Sequence, residues 1–310
     1  RKVGDITPIF IFTPEQINKD KNEYFSNNLV QFMCETLDEL NENYKEKKSR
    51  LNCFEGDIIE VLESIHKFKK INSLGFNADY SPYSKKRDDK IEAWCEKNKI
   101  KFFKKEDMLL VNIIDNKNYP NKKPYEIFTH FKNYQLENYT VKKPSRNRVK
   151  LANNNITSKF NVEIKNISKF YEDNPDIMCH GGRTNGRKKL NDIKKQDKYP
   201  QLRNNLDYET TRLSPYINLG IVSIREVYNK TFELFGEDHS LISELWWRDF
   251  FYNILHHNPQ VVGLEMNEKF RGIKWDNNEL LFKKWKEGKT GFPIVDACMN
   301  ELNTTGFLHN

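Results

Sequence analysis

Short apolar runs alternate with helical periodicity over the first third of this chain, and then the strands stop. Ile6–Phe12 (ITPIFIF) has the length and composition of a buried strand, broken off by Thr13-Pro14. Asn27–Leu40 predicts a helix with Val30, Met33, Leu37 and Leu40 on one side. A weak strand over Leu51–Phe54, ending at Gly56, precedes a helix over Asp57–Phe68 with Asp57 as its N-cap. A strand over Ile71–Phe76, a helix over Tyr83–Asn98 and a strand over Ile100–Phe103 complete the series. Parallel strands need a crossover, normally a helix, so this order predicts an open α/β domain with a largely parallel sheet over residues 1–115.

Residues 116–165 lose the pattern. Pro120, Pro124 and Pro144 punctuate a stretch rich in Asn, Lys and Ser, which reads as an inter-domain connection with one helix near Tyr125–Leu136. Over 166–310 only helical periodicity remains. Helices are expected at Ile164–Tyr171, Arg183–Lys195, Pro215–Leu219, Ser223–Phe235, Leu241–His256, Asn278–Lys286 and Pro293–Leu302. The fold class is an α/β domain followed by an all-α domain.

Composition sets outer limits. Hydrophobic residues make up 37% of the chain, with 21 Phe, 14 Tyr and 5 Trp, which is enough to build cores and excludes global disorder. No apolar run approaches the ~18 residues of a membrane span. Cys34, Cys53, Cys95, Cys179 and Cys298 show no CxxC spacing, which favours free thiols in a reducing compartment over disulfides or a metal site. A formal charge of +7 suits a polyanion, although Lys and Asn are abundant throughout and charge alone carries little weight. The chain opens on Arg1 and closes four residues beyond Gly306, as a fragment of a longer protein does. No leader is visible, and the expected location is intracellular.

Three segments carry chemistry. In Leu241–His257, Ile242, Leu245, Trp246, Phe250 and Ile254 form one apolar face, while Glu244, Trp247, Arg248 and Phe251 share another. Solvent faces rarely carry Trp with Phe, and cores rarely carry Glu with Arg, so the second face has the composition of a ligand pocket. A helix buried on both sides, with a Glu244–Arg248 ion pair, accounts equally for the pattern. In Glu209–Tyr216, Ser214 before Pro215 reads as an N-cap, and Thr210, Thr211 and Arg212 join it to offer a phosphate site at a helix start. In Lys289–Asn310, Gly291-Phe292-Pro293 and Gly306 bound a helix striped with Ile294, Val295, Cys298, Met299 and Leu302. A basic run from Arg183 through Lys188, Lys195 and Lys198 to Arg203 is a solvated helix or a DNA contact.

Taken together, these strings resemble class I DNA photolyases of the photolyase/cryptochrome family. Tyr199 and Arg203 match, as do Thr210–Tyr216 (TTRLSPY), Glu244–Phe250 (ELWWRDF), Trp285–Gly288, Thr290–Ala297 (TGFPIVDA) and His309-Asn310. Pro8–Phe12, Asp79–Tyr83 and Lys86–Asp88 resemble the family's antenna domain less distinctively. The resemblance implies FAD held by Tyr199, Thr210, Thr211, Arg212, Leu213 and Ser214, with Glu244 and Arg248 beside it. It implies that Glu244 polarises the damaged base, that Trp247 stacks on the lesion and that Arg248 lies between flavin and substrate. Arg203, Trp247, Phe251 and Asn310 would meet DNA, and Trp275 would be the surface tryptophan of the electron-transfer chain.

The implied function is light-driven repair of cyclobutane pyrimidine dimers in DNA by electron transfer from reduced FAD, by a monomer. A distorted dimer is cheaper to flip out than a normal base, and Glu244 would stabilise the electron-rich dimer if burial keeps it protonated. Asn310 and Glu244 stand where enzymes acting on 6-4 photoproducts carry His and tend to carry Gln, which favours cyclobutane dimers. A cryptochrome without repair activity and an inactive gene fragment are the alternatives. Against the family pattern, the first strand and helix and the last helices are missing. Phe307 stands where Trp is usual, Asn204 where Asp is usual and Leu241 where a cofactor-side Trp is common. Folate-binding residues find no match, so the identity of any second antenna chromophore is open.

Overall fold

The structure is a computed structural model describing residues 5–113, 124–145 and 149–309. In chain order its elements are β1 (Ile9–Phe12), α1 (Pro14–Ile17), α2 (Asn27–Glu46), β2 (Asn52–Glu55), α3 (Ile58–Phe68), β3 (Ser73–Asn77), α4 (Pro82–Lys97) and β4 (Lys101–Lys105). Then follow α5 (Phe128–Asn138), β5 (Asn161–Val162), α6 (Arg183–Asp192), α7 (Tyr199–Leu202), α8 (Ser214–Asn218), α9 (Ile224–Phe235), α10 (Ser240–His257), α11 (Glu279–Lys286) and α12 (Pro293–Thr305). The alternation of strand and helix through β4, and helices alone after Val162, are as expected. Ile164–Phe170 forms 3-10 turns rather than an α-helix.

Backbone packing divides the chain into two compact units, each drawing on both the α/β and the helical stretches. One comprises Arg1–Ser64, Val149–Asn185 and Gly272–Asn310, the other Ile65–Arg148 and Gly186–Arg271.

In the first unit β1 and β2 run parallel, with Ile9 opposite Asn52 and Phe12 opposite Glu55. The expected connection supplies a strand of its own: β5 pairs antiparallel with β2, Val162 opposite Cys53. A two-residue strand has too little sequence to show a period of two, but its burial is real. Val162 and Ile167 join Phe12, Val30, Cys34, Leu37, Leu51 and Cys53 in one core. Asp57 caps α3 as anticipated, its Oδ1 accepting from the Ile59 and Glu60 amides at 2.9 and 3.2 Å. All five cysteines are free thiols, and burial pushes Cys34 and Cys53 up to about 12.

In the second unit β3 and β4 pair in parallel, Ser73 opposite Lys101 and Asn77 opposite Lys105. The helices α5, α7 and α9 surround α10. Ile242 and Trp246 of α10 are fully buried, as are Phe131 of α5 and Val222 ahead of α9. Full burial of side chains of this size contributes roughly 1.5–3 kcal/mol each. α10 is therefore fixed along its whole length, and its remaining face is held in a set direction.

Candidate functional site

The predicted apolar face of α10 is the core face: Ile242, Leu245, Trp246, Phe250 and Ile254 are all buried. Two polar residues share it. Asp249 is completely buried, and its Oδ2 accepts from the Leu110 amide at 2.9 Å and the Val111 amide at 3.4 Å. Burial raises its pKa well above the ordinary carboxylate range. Asn253, also fully buried, donates to the Tyr125 carbonyl at 3.1 Å.

The opposite face separates into two functions. Glu244 does not pair with Arg248 along the helix. Its carboxylate instead accepts a hydrogen bond from the Arg203 guanidinium, just beyond α7, which also hydrogen-bonds Tyr199. Tyr199 is buried, and its pKa is raised by desolvation first and by the nearby Glu244 carboxylate second. Tyr199, Arg203 and Glu244 are thus brought together as one linked group. The burial expected of Glu244 is absent, since 40% of its side chain is exposed.

Arg248 points elsewhere. One guanidinium nitrogen donates to the Met108 carbonyl at 2.6 Å, and the group lies 4.7 Å from the Tyr252 ring centroid. Its Nη2 is buried without a partner among the described residues. The loop it grips is held from α9 as well, where Arg225 pairs with Asp107 and donates to the Leu109 carbonyl. Residues 107–111 are thereby bound to α9 and α10 by three charged side chains. The sequence contained no local signal for this, because the partners lie more than a hundred residues away.

Trp247 and Phe251 are the exposed aromatics of α10, at 37% and 61%. Their rings lie 5.7 Å apart and nearly parallel, at 26°. Phe128, the first residue of α5, stacks on Trp247 with a centroid separation of 3.7 Å and an interplanar angle of 6°. Phe128 lies in the proline-punctuated stretch and belongs to none of the strings singled out above.

The Thr210–Ser214 segment corrects one expectation. Ser214 is the first residue of α8 and not its cap. Leu213 occupies the cap position, with no side-chain cap bond, and α8 is only five residues long. A helix of one turn lends little dipole, so the phosphate-site reading loses that support. What remains is the donor set. Thr210, Thr211 and Arg212 are part-exposed, Ser214 is exposed and Leu213 is buried. Arg212 adopts a left-handed φ of 49° and pairs with Glu209 at 3.3 Å, the same carboxylate that Lys189 meets at 3.3 Å. Gln196, buried and unanticipated, ties this loop down. It donates to the Glu209 carbonyl at 3.0 Å and accepts from the Tyr208 hydroxyl at 3.1 Å.

In the first unit Trp275 is 66% exposed. The Thr290–Ala297 string has a structural explanation: Asp296 accepts from the Thr290 amide and hydroxyl, both at 2.7 Å, and from the Gly291 amide at 2.9 Å. These bonds, the Thr290 hydroxyl foremost, lower its pKa. Asn310 lies outside the described residues. Two clefts of the first unit, one lined by Pro14, Ile17, Phe25, Phe170 and Tyr171 and one by residues of 161–169, include none of the anticipated site residues. Among the described residues there is no metal-binding cluster of His, Cys, Asp and Glu, and no helix is long and apolar enough to cross a membrane.

Two family models match this chain and together cover more than half of it: DNA photolyase over residues 1–148, and the FAD-binding domain of DNA photolyase over residues 241–310. The chain belongs to the photolyase/cryptochrome family. The second match names FAD as the cofactor. Residues 241–310 begin at α10, so the helix that carries Glu244, Trp247 and Arg248 opens the FAD-binding match. Among relatives, a deoxyribodipyrimidine photo-lyase of Thermus thermophilus is 42% identical over 118 residues, 37% of this chain and 28% of that protein. Cryptochrome-1 of Aedes aegypti is 28% identical over 98% of this chain and 62% of its own length. The structure of an archaeal photolyase from Sulfolobus tokodaii, described with two FAD molecules and a novel light-harvesting cofactor, superposes with a TM-score of 0.82 at 32% identity. It covers 99% of this chain and 66% of that one. The chain thus spans less than two thirds of the length of these relatives.

The residues present fit such a cofactor. The hydroxyls of Thr210, Thr211 and Ser214 and the guanidinium of Arg212 are the donors a dinucleotide pyrophosphate needs. The buried Arg248 Nη2 is a charged donor awaiting an acceptor.

Proposed function

We propose that this chain carries the lesion-facing part of a cyclobutane pyrimidine dimer photolyase, acting as a monomer on DNA inside the cell. The observation that carries the reading is the outward face of α10. There an exposed tryptophan follows, three residues on, a glutamate held by an arginine.

By this reading Trp247 and Phe251 form the platform on which a flipped pyrimidine pair stacks, a contact worth ~1–3 kcal/mol per base. Glu244 hydrogen-bonds the base edge. Arg203 orients Glu244 and reaches a DNA phosphate, and its positive charge beside the carboxylate offsets negative charge gathering on the dimer. Tyr199, Thr210, Thr211, Arg212, Leu213 and Ser214 hold FAD, and Arg248 offers its buried nitrogen toward it. Bound, reduced and excited by light, FAD would lend the electron that opens the dimer and recover it once the bonds have parted. The core face of α10 keeps the platform rigid, so little ordering is left to be done when DNA arrives. Trp275 serves electron transfer from the surface, and Asn310 meets the DNA.

The test is to purify the full gene product, record flavin absorbance, and illuminate it with DNA carrying one cyclobutane dimer or one 6-4 photoproduct, with dark controls. Light-dependent loss of the dimer alone is expected. Repair of the 6-4 product alone would reassign the substrate. Flavin absorbance without repair would favour the second reading, a blue-light flavoprotein of cryptochrome type. The similarity to a cryptochrome over 98% of the chain supports that reading.

A further inference from the structure

Phe128 covers one face of the Trp247 ring. A separation of 3.7 Å at 6° is the geometry of a base on an aromatic platform, not of two side chains meeting at random in a core. Aromatic pairs within proteins favour offset or edge-on contact, as Trp247 itself makes with Phe250 at 81°. Phe128 is not deeply held. It is part-exposed and opens α5, and the cap residue before it, Ile127, is exposed and makes no side-chain cap bond. Behind it Phe131 is fully buried and packs on Phe250, which Phe128 also meets edge-on at 5.9 Å, so α5 is anchored independently of its first side chain.

We propose that Phe128 is a positioning residue, a stand-in base that must leave Trp247 before a lesion can stack there. This rests on the reading of Trp247 given above. A base stacked on an aromatic ring gains about five- to a hundredfold in affinity. An aromatic side-chain pair gains about two- to tenfold. A damaged pair, already poorly stacked in its duplex, therefore displaces Phe128. A normal base must give up its own stacking first, and Phe128 raises that threshold further. The residue thereby acts through Trp247 to keep the platform covered until a base replaces it, a cost that damaged and normal bases share.

The test compares Phe128→Ala, Phe128→Leu, Trp247→Ala and Phe128→Ala/Trp247→Ala in the full gene product. Binding is measured in the dark to duplexes with and without one cyclobutane dimer. Both Phe128 variants should tighten dimer binding about two- to tenfold. They should raise flipping of normal bases, read with a fluorescent adenine analogue opposite the site. Neither change should appear on the Trp247→Ala background. Phe128→Leu keeps apolar volume without the flat ring, so it answers the question if Phe128→Ala does not fold. Weaker or unchanged dimer binding in the Phe128 variants, with Trp247→Ala still impaired, would overturn the stand-in role and leave Trp247 as the platform. Unimpaired dimer binding by Trp247→Ala would overturn both.

Discussion

The helices α10 and α11 carry similar sequence signals and reach opposite ends of the burial scale. Eight of the 18 residues of α10 are buried, including two polar ones. α11 buries none of its eight, leaving Leu280, Leu281, Phe282 and Trp285 at 64%, 61%, 54% and 45% exposure. α12, its neighbour in the first unit, buries only Met299. Both regions lie in the FAD-binding match, and both have an apolar stripe at helical spacing. Periodicity identifies the face that wants cover. It does not say whether the described residues supply it. In α10 they do, and the opposite face becomes free to act.

The strongest challenge to this contrast is at Asp249. Replacing it with Ala strands two buried amides, those of Leu110 and Val111, and is expected to cost about 2–5 kcal/mol in chemical denaturation. Asp249→Asn keeps an acceptor. Burial raises the folded pKa of Asp249 above its unfolded value, so its stabilising contribution is present in acid and lost as pH rises through the folded value. The Asn variant escapes that loss and should gain on the wild type as pH rises from the ordinary carboxylate value through the folded one. A variant as damaged as Ala would show that the charge itself is required.

Trp247 tests the free face of the same helix. Trp247→Ala should weaken binding to dimer-containing DNA by ~1–3 kcal/mol and binding to undamaged DNA much less. Equal losses on both DNAs would reduce Trp247 to a general surface contact.

His256, near the end of α10, provides a smaller handle. Burial lowers its pKa to about 4, with His257 and Lys85 adding to the effect. The unfolded chain, titrating near 6.5, therefore binds more protons than the folded one between these values. Stability should be full above pH 6.5, fall between pH 6.5 and 4, and level off below. The ring is only part-buried, so solvent screening leaves roughly 1–2 kcal/mol of the linkage. His256→Phe should flatten that part of the pH–stability curve. An unchanged slope would place the titration elsewhere.

The smallest effect belongs to α11. Leu281→Lys and Phe282→Glu should alter stability by no more than about 0.5 kcal/mol, while lowering binding of an apolar dye by the 310-residue chain. A loss similar to that at Asp249 would mean that the face of α11 is covered in solution.

Much of this molecule was legible in its sequence because much of it is local. Strand and helix order, the capping of α3 by Asp57 and the two faces of α10 follow from spacings of a few residues. The recurring strings identified the family. The misreadings came where a local rule met a distant partner or too short an element. Ser214 before Pro215 has the look of a cap, yet the helix begins one residue earlier and lasts one turn. Val162 lies in a stretch without periodicity, yet it closes a core with Phe12 and Cys53. Glu244 and Arg248 have the spacing of an ion pair, but a guanidinium 41 residues earlier takes the carboxylate and a carbonyl 140 residues earlier takes the arginine. No pattern pointed to Phe128, whose importance lies only in which ring it meets. Helical and strand periods are set by the backbone's own hydrogen bonding and appear in any window of the sequence. The choice of partner for a charge or a ring depends on which segments the core brings together, and that was decided by the tertiary structure alone.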